Sequence, residues 1–173
     1  MNFGKHNKEV IIRAVEPSDA ELLLFWENDI ENWQVSGTQI PYSLESIKQF
    51  IDGQQSDIYI SRQVRFMIEF EGKSVGCIDI FEFDPKNLRA GIGILIEKES
   101  RNNNYAIKAL AAIENIAKQT LFLKQIYAHI GKNNQASLAL FEKAGFKQSG
   151  TLHNWLRNPN GWEDVIILQK ILL

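Results

Sequence analysis

From Gly91 to Ala106 the chain reads Gly-Ile-Gly-Ile-Leu-Ile-Glu-Lys-Glu-Ser-Arg-Asn-Asn-Asn-Tyr-Ala. An apolar strand pattern runs into a polar loop. The loop opens a helix whose apolar positions recur as Ala106, Leu110, Ile113 and Ala117. Such a corner leaves the first backbone N–H groups of the helix unpaired at the positive end of its dipole, which is a seat for a phosphate. The chain has no glycine-rich Gly-x-x-x-x-Gly-Lys-Ser/Thr phosphate loop, and no Gly-x-Gly-x-x-Gly leads a strand into a helix. An anion held here is therefore not held as ATP or NAD is held. Coenzyme A also carries a pyrophosphate and becomes the leading candidate.

The 173 residues suffice for one domain, 1–173, with a real core. The polar stretch 1–8 is expected to be a flexible extension. A formal net charge of −2 gives no bulk attraction to nucleic acid or to an anionic membrane. Cys77 stands alone, which excludes an internal disulfide and a multi-cysteine zinc site and fits a reducing cytoplasm. No apolar run is long enough to span a bilayer, and the N-terminus lacks the apolar region of a signal peptide. His6, His129 and His153 lack metal-ligand spacing, so no metal is expected, and each is read as bland.

Val10 to Ala14 reads as a first strand. A helix follows, with Ser18 as its N-cap, Glu21 completing a capping box, and Leu22, Leu23, Phe25 and Trp26 as its apolar side. A second helix starts at Ser43 and carries Leu44, Ile47 and Ile51 on one face. Val64–Phe70, Val75–Phe83 and Arg89–Ile96 form an antiparallel meander, turned at Glu71-Gly72-Lys73 and at Asp84-Pro85-Lys86-Asn87. A helix from about Asn104 to Gln119, a strand from Gln125 to Ile130 and a helix from Asn134 to Ala144 follow. Gly145 ends that last helix, and a hairpin turning at Asn158-Pro159-Asn160-Gly161 closes the chain. The pattern predicts a mixed α/β fold: a mainly antiparallel sheet of about seven strands flanked by helices.

This order, with two local motifs, resembles the GNAT acetyltransferase superfamily over nearly the whole chain. Within it the chain is most similar to the branch holding ribosomal-protein N-terminal acetyltransferases and spermidine N-acetyltransferases. The first motif, Arg/Gln-x-x-Gly-x-Gly/Ala, stands here as Arg101-Asn102-Asn103-Asn104-Tyr105-Ala106. The second stands as Asn134-Gln135-Ala136-Ser137 followed by Phe141-Glu142-Lys143-Ala144-Gly145-Phe146. Asn104 replaces the usual glycine, and asparagine is the residue that next best tolerates a left-handed φ. Phe141 stands where many relatives have a tyrosine acid and cannot donate a proton. Gly91 stands where relatives often carry a glutamate base.

The resemblance implies an acetyl-CoA-dependent N-acetyltransferase. The amine attacks directly in a ternary complex, with no acyl-enzyme. Backbone groups of Ile94, Leu95 and Ile96 would hold the pantetheine arm. The N–H groups of Asn102, Asn103, Asn104, Tyr105 and Ala106 would hold the pyrophosphate, with Arg101 adding charge and Asn134 bonding the arm. The implied acceptor is a small amine or a protein N-terminus, and a homodimer is allowed for. The family uses the first helical region to shape the acceptor pocket. Here that region carries Trp26, Glu27, Asp29, Glu31 and Trp33, which suit a cationic amine or, alternatively, form a buried tryptophan pair beside a solvated acidic face.

On a strand of period two, Val75, Cys77, Asp79, Phe81 and Phe83 share one face. Asp79 among apolar neighbours is a candidate base or amine anchor with a raised pKa, unless it pairs with an arginine. Glu82 points to the other face and reads as structural. Tyr127 could replace the missing acid or simply pack. Cys77 reads as core. The alternative function is a CoA-binding sensor or interaction domain with lost or weak catalysis.

Overall fold

The computed structural model describes residues 9–172, with backbone alone for 34–36. The expected flexible stretch 1–8 lies outside the described residues. Seven strands form one sheet: β1 (Val10–Ala14), β2 (Val64–Phe70), β3 (Lys73–Asp84), β4 (Arg89–Ile96), β5 (Gln125–Gly131), β6 (Lys147–Asn158) and β7 (Gly161–Ile171). Their order is β1-β2-β3-β4-β5-β7-β6, and β4/β5 is the parallel pair. Four helices, α1 (Ala20–Glu27), α2 (Ile30–Ser36), α3 (Leu44–Gly53) and α4 (Ile58–Ser61), fill the connection from β1 to β2, where the sequence suggests two. The helices α5 (Tyr105–Gln119) and α6 (Gln135–Lys143) flank β5 in the chain.

The sheet separates two apolar layers. Ala109, Leu110, Ile113 and Ala117 of α5 and Phe141 of α6 pack with Ile78, Ile80, Ile92 and Ile126. On the opposite face Leu23 and Trp26 of α1 and Ile47 and Ile51 of α3 pack with Met67 and Cys77. In α1 only one of the expected aromatic pair faces inward: Trp26 is 3% exposed and Phe25 is 70% exposed. Three-residue spacing from Leu23 selects Trp26.

Helix starts follow side-chain oxygens. Ser43 accepts from the Ser46 N–H at the start of α3, as its position predicts. The expected Ser18 capping box is not formed. A 3-10 turn spans Pro17–Asp19, and its box pairs Glu16 with Asp19. The displacement follows from Arg13, which bonds both Asp19 carboxylate oxygens at 2.8 and 2.9 Å and draws that residue inward. Gly145, at φ +89°, ends α6: its N–H bonds the Glu142 carbonyl while the Phe146 N–H bonds that of Phe141.

Two bulges break the alternation of β3. Between Ile68/Gly76 and Glu69/Ser74 the register gains a residue at Val75, and between Phe81/Gly91 and Asp84/Arg89 it gains another at Glu82-Phe83. Cys77, Asp79 and Phe81 therefore share a face as expected, whereas Val75 and Phe83 join the layer under α5.

Candidate active site

β4 and β5 pair at three positions only: Arg89/Gln125, Ala90/Ile126 and Gly91/Tyr127. Beyond them each strand keeps its outer neighbour. β4 stays with β3 to Ile96/Gly76, and β5 stays with β7 to Gly131/Val165. The sheet thus forks in its middle. On the fork side the backbone of Ile92–Ile96 has no rung to fill, and Gly93, Ile94, Leu95 and Ile96 are half-buried. Strand N–H and C=O groups freed in this way are strong hydrogen-bonding sites for an extended ligand.

At the open end of the fork the chain turns into α5. Asn102 (φ 65°) and Asn104 (φ 61°) are both left-handed, the conformation that the sequence leads one to expect at Asn104. Asn104 is the N-cap residue, yet no side chain caps α5. The first helical bond runs from the Lys108 N–H to the Asn104 carbonyl, which leaves the N–H groups of Tyr105, Ala106 and Ile107 outside the ladder. The loop is braced from behind. Glu97 accepts from Lys73 and from the Ser100 hydroxyl, both at 2.6 Å. Burial works to raise the Glu97 pKa, and these two bonds outweigh it, holding the carboxyl below its usual range. Arg101 donates to the Ile96 carbonyl at 3.2 Å, so its side chain lies back along β4. Lys98 bonds Glu31 at 2.9 Å and ties α2 to this loop.

The face toward α1–α3 carries the acidic groups. Asp79 does not stand among apolar neighbours alone: both its oxygens take Arg65 at 2.7 Å, and Arg65 also bonds Glu27. Burial disfavours the Arg65 charge, but the carboxylates outweigh it and hold the guanidinium protonated. The expectation of an unpaired, base-like Asp79 is corrected by this pair. Glu27 and Glu31 are likewise engaged with cations of the chain itself, Arg65 and Lys98. Trp26 is core, although its indole N–H has no partner. Trp33 donates to the Glu27 carbonyl at 2.9 Å, and Asp29 caps α2. Apart from the Trp26 indole N–H, the acidic and aromatic cluster is therefore an internally satisfied wall.

Sequence reasoning missed Arg65. A two-residue turn at Glu71-Gly72 alone would pair Arg65 with Ile78. The bulge at Val75 shifts the register and sets Arg65 opposite Asp79.

On β4 Gly91, Gly93 and Leu95 face this way. A Cβ on Gly91 would fall 2.4 Å from the Phe81 ring, so glycine is required there. Phe81 meets Tyr127 edge-on at 6.4 Å, and Tyr127 lies 5.3 Å from His129. The bulge turns Glu82 so that its carboxylate accepts from the Tyr127 hydroxyl, and not to the far face as alternation suggests. Burial, and then Glu82, push the Tyr127 phenol well above its ordinary range. A cavity of about 350 Å³ lies beside Tyr127 and His129, and one of about 60 Å³ beside Asp79 and Arg65.

Phe141 is 3% exposed and packs edge-on against Phe146 at 4.9 Å. It is a core side chain, enclosed at the position where the resemblance implies a tyrosine acid. Asn134 caps α6, its Oδ1 accepting from the Ser137 N–H at 3.1 Å, so its Nδ2 retains donor capacity. Cys77 is core as read, and burial pushes its thiol up to about 12. Among the described residues no three His, Cys, Asp or Glu side chains are grouped to hold a metal ion, and no helix is long and apolar enough to cross a membrane.

Residues 9–147 match the family model of the acetyltransferase (GNAT) domain. The spermidine N(1)-acetyltransferase of Escherichia coli (strain K12) is 25% identical over 112 residues, or 65% of this chain, and that stretch is 59% of the length of the E. coli enzyme. A Bacillus subtilis protein provisionally named a ribosomal N-acetyltransferase, YdaF, is 27% identical over 174 residues, 97% of this chain and 93% of that protein. In fold, the crystal structure of spermidine N-acetyltransferase from Vibrio cholerae in complex with CoA and spermine superposes with a TM-score of 0.86, at 20% identity, covering 96% of this chain and 97% of that one. A dodecameric structure of the V. cholerae enzyme gives 0.80, again at 20% identity, over 96% and 95% of the two chains.

Proposed function

The chain belongs to the acetyltransferase (GNAT) domain family, and from that premise we propose that it is an acetyl-CoA-dependent N-acetyltransferase acting on a primary amine. The observation that carries the proposal is the fork between β4 and β5, opening beside a helix start left uncapped by two left-handed asparagines. The donor set fits the group. Freed backbone of Ile94, Leu95 and Ile96 suits the amide-bearing pantetheine arm, and an N–H there can receive the thioester oxygen as it gains charge. The N–H groups from Asn102 to Ala106 suit a pyrophosphate, with Arg101 adjacent. The unused donor capacity of the Asn134 Nδ2 suits a bond to the arm. A thiol with a pKa near ~8.5 is a good leaving group, so transfer does not depend on the tyrosine that Phe141 replaces.

The acceptor we propose is a small polycation. Around Phe81 and Tyr127 stand Glu27, Asp79, Glu82 and Asp84 against Arg65 and Arg89, four carboxylates to two cations. The enzymes of E. coli and V. cholerae named for spermidine support the same class. The dodecameric relative supports self-association, and the lone reduced cysteine supports a cytoplasmic setting.

The test has two stages. CoA, acetyl-CoA and desulfo-CoA should each raise the melting temperature, since a ligand that binds only the folded state at 100 times its Kd adds about 2.7 kcal/mol. Thiol release from acetyl-CoA is then followed with spermidine, spermine, a peptide N-terminus and an aminoglycoside. No thermal shift removes the CoA assignment. Release with the peptide alone replaces the acceptor. A second reading, a CoA-binding domain without turnover, is favoured by the burial of the ring at Phe141, and binding without thiol release from any amine would establish it.

A further inference from the structure

Resting on the transferase reading, we propose that His129 is the catalytic proton acceptor for the attacking amine. On the face that carries Asp79 and Phe81, the last rung between β4 and β5 is Gly91/Tyr127. His129 is the next β5 residue on that face, and it is the first side chain past the point where the strands part. Its β4 counterpart is Gly93, where a Cβ would meet only ordinary contacts, 3.6 Å to Phe81 and 4.0 Å to Asp79. β4 therefore raises no side chain between Asp79 on one side of the fork and His129 on the other. An amine approaching a thioester within the fork from this face passes over Gly93.

Both Asp79 oxygens are taken by Arg65, whereas among the described residues the exposed imidazole of His129 has no hydrogen bond, only the ring contact with Tyr127. That contact is itself fixed by the bond from Tyr127 to Glu82. The charged groups facing this place are Arg89 of β4, Glu82 of β3 through Tyr127, and the Asp79–Arg65 pair. β6 and β7 offer the uncharged Ser149, Ile167 and Gln169, and further along the same face Lys147, opposite Gln169, and the Glu163 carboxylate beside Gly131.

The nitrogen sheds two protons. The first leaves the free ammonium for water before attack. The neutral amine then forms the C–N bond, and the carbonyl electron pair moves to oxygen. His129 takes the second proton from the now acidic nitrogen. As C=O re-forms, the C–S pair departs with sulfur, and the thiolate collects the proton from the imidazolium. A thiol is the weaker acid of the two, so transfer from an imidazolium to a thiolate runs downhill. His129 ends neutral, and one shuttle serves both nucleophile and leaving group.

The test compares wild type with His129→Gln and His129→Ala. Both should keep their CoA-induced thermal shift and lose about 10²-fold or more in kcat, within the usual range for general acid–base catalysis. The fall of wild-type kcat below neutral pH should vanish in His129→Gln, and added imidazole should restore part of the rate of His129→Ala. In a readout independent of turnover, diethyl pyrocarbonate should modify His129 in the free protein, and desulfo-CoA with spermine should protect it while the exposed His153 stays reactive. Variants within tenfold of wild type, with an unchanged acid limb, overturn the proposal and leave the transferase reading standing. A wild type that releases no thiol with any amine overturns both.

Discussion

Asn104 offers the sharpest test of the loop that opens α5. At φ 61° and ψ 14° it occupies the left-handed region, and it is exposed, so packing contributes little to a substitution there. A residue branched at Cβ resists this conformation by roughly 1–2 kcal/mol relative to the right-handed region, and asparagine by much less. Asn104→Val must express that strain somewhere. If the loop stays left-handed without ligand, urea unfolding records the loss and CoA affinity is unchanged. If the loop relaxes, stability is kept and CoA must restore the conformation, which weakens binding by about 5- to 30-fold at 1.4 kcal/mol per decade. The two losses together should come to about 1–2 kcal/mol. Asn104→Gly removes the steric term but adds unfolded-state entropy, so its stability should stay within about 1 kcal/mol and its affinity should equal or exceed wild type. Calorimetric titration with CoA and urea denaturation at one salt concentration give both numbers. If Asn104→Val matches wild type in stability and in affinity, the left-handed loop is neither strained nor the phosphate seat.

Replacing Arg65 with Met strands two carboxylates, Glu27 and Asp79, whose side chains are only 16% and 27% exposed. The loss should be about 3–5 kcal/mol, or a fall of roughly 6–20 °C in melting temperature by scanning calorimetry. Burial would raise the Asp19 pKa, but bonds from Arg13 and from the Glu16 N–H lower it below the ordinary 3.8. Its contribution is therefore present above that value and lost as pH falls through the folded pKa. Urea midpoints at pH 7 and pH 3 should differ more in wild type than in Asp19→Asn. Cys77, buried with its thiol raised to about 12, should resist a thiol reagent in the native protein and react at once when the chain is unfolded in urea.

The sequence by itself determined the strands, the two helices around β5 and the loop chemistry, though not the four helices between β1 and β2. Local signals acted at short range: Gly145 at a positive φ that ends a helix, Ser43 at a helix start, Glu71-Gly72 with both residues at positive φ, and asparagine at position 104 in the left-handed region. These are properties of a few consecutive residues, and so they are legible in a string. The seven strands and their two helical layers follow from apolar periodicity in the same way.

What the tertiary structure alone decided is which side chains meet. One added residue at Val75 moves Arg65 from Ile78 to Asp79 and turns a candidate base into half of an ion pair. Another at Glu82-Phe83 sends Phe83 into the core and Glu82 to Tyr127. Period-two alternation cannot foresee either, because a bulge leaves no strong mark in composition and reverses every facing after it. Phe141 carries the same lesson: the motif fixes its place on α6, but only the packing against Phe146 shows that the ring is enclosed. The fork itself is a non-local fact, since β4 and β5 part because β3 and β7 each hold their own neighbour to the end.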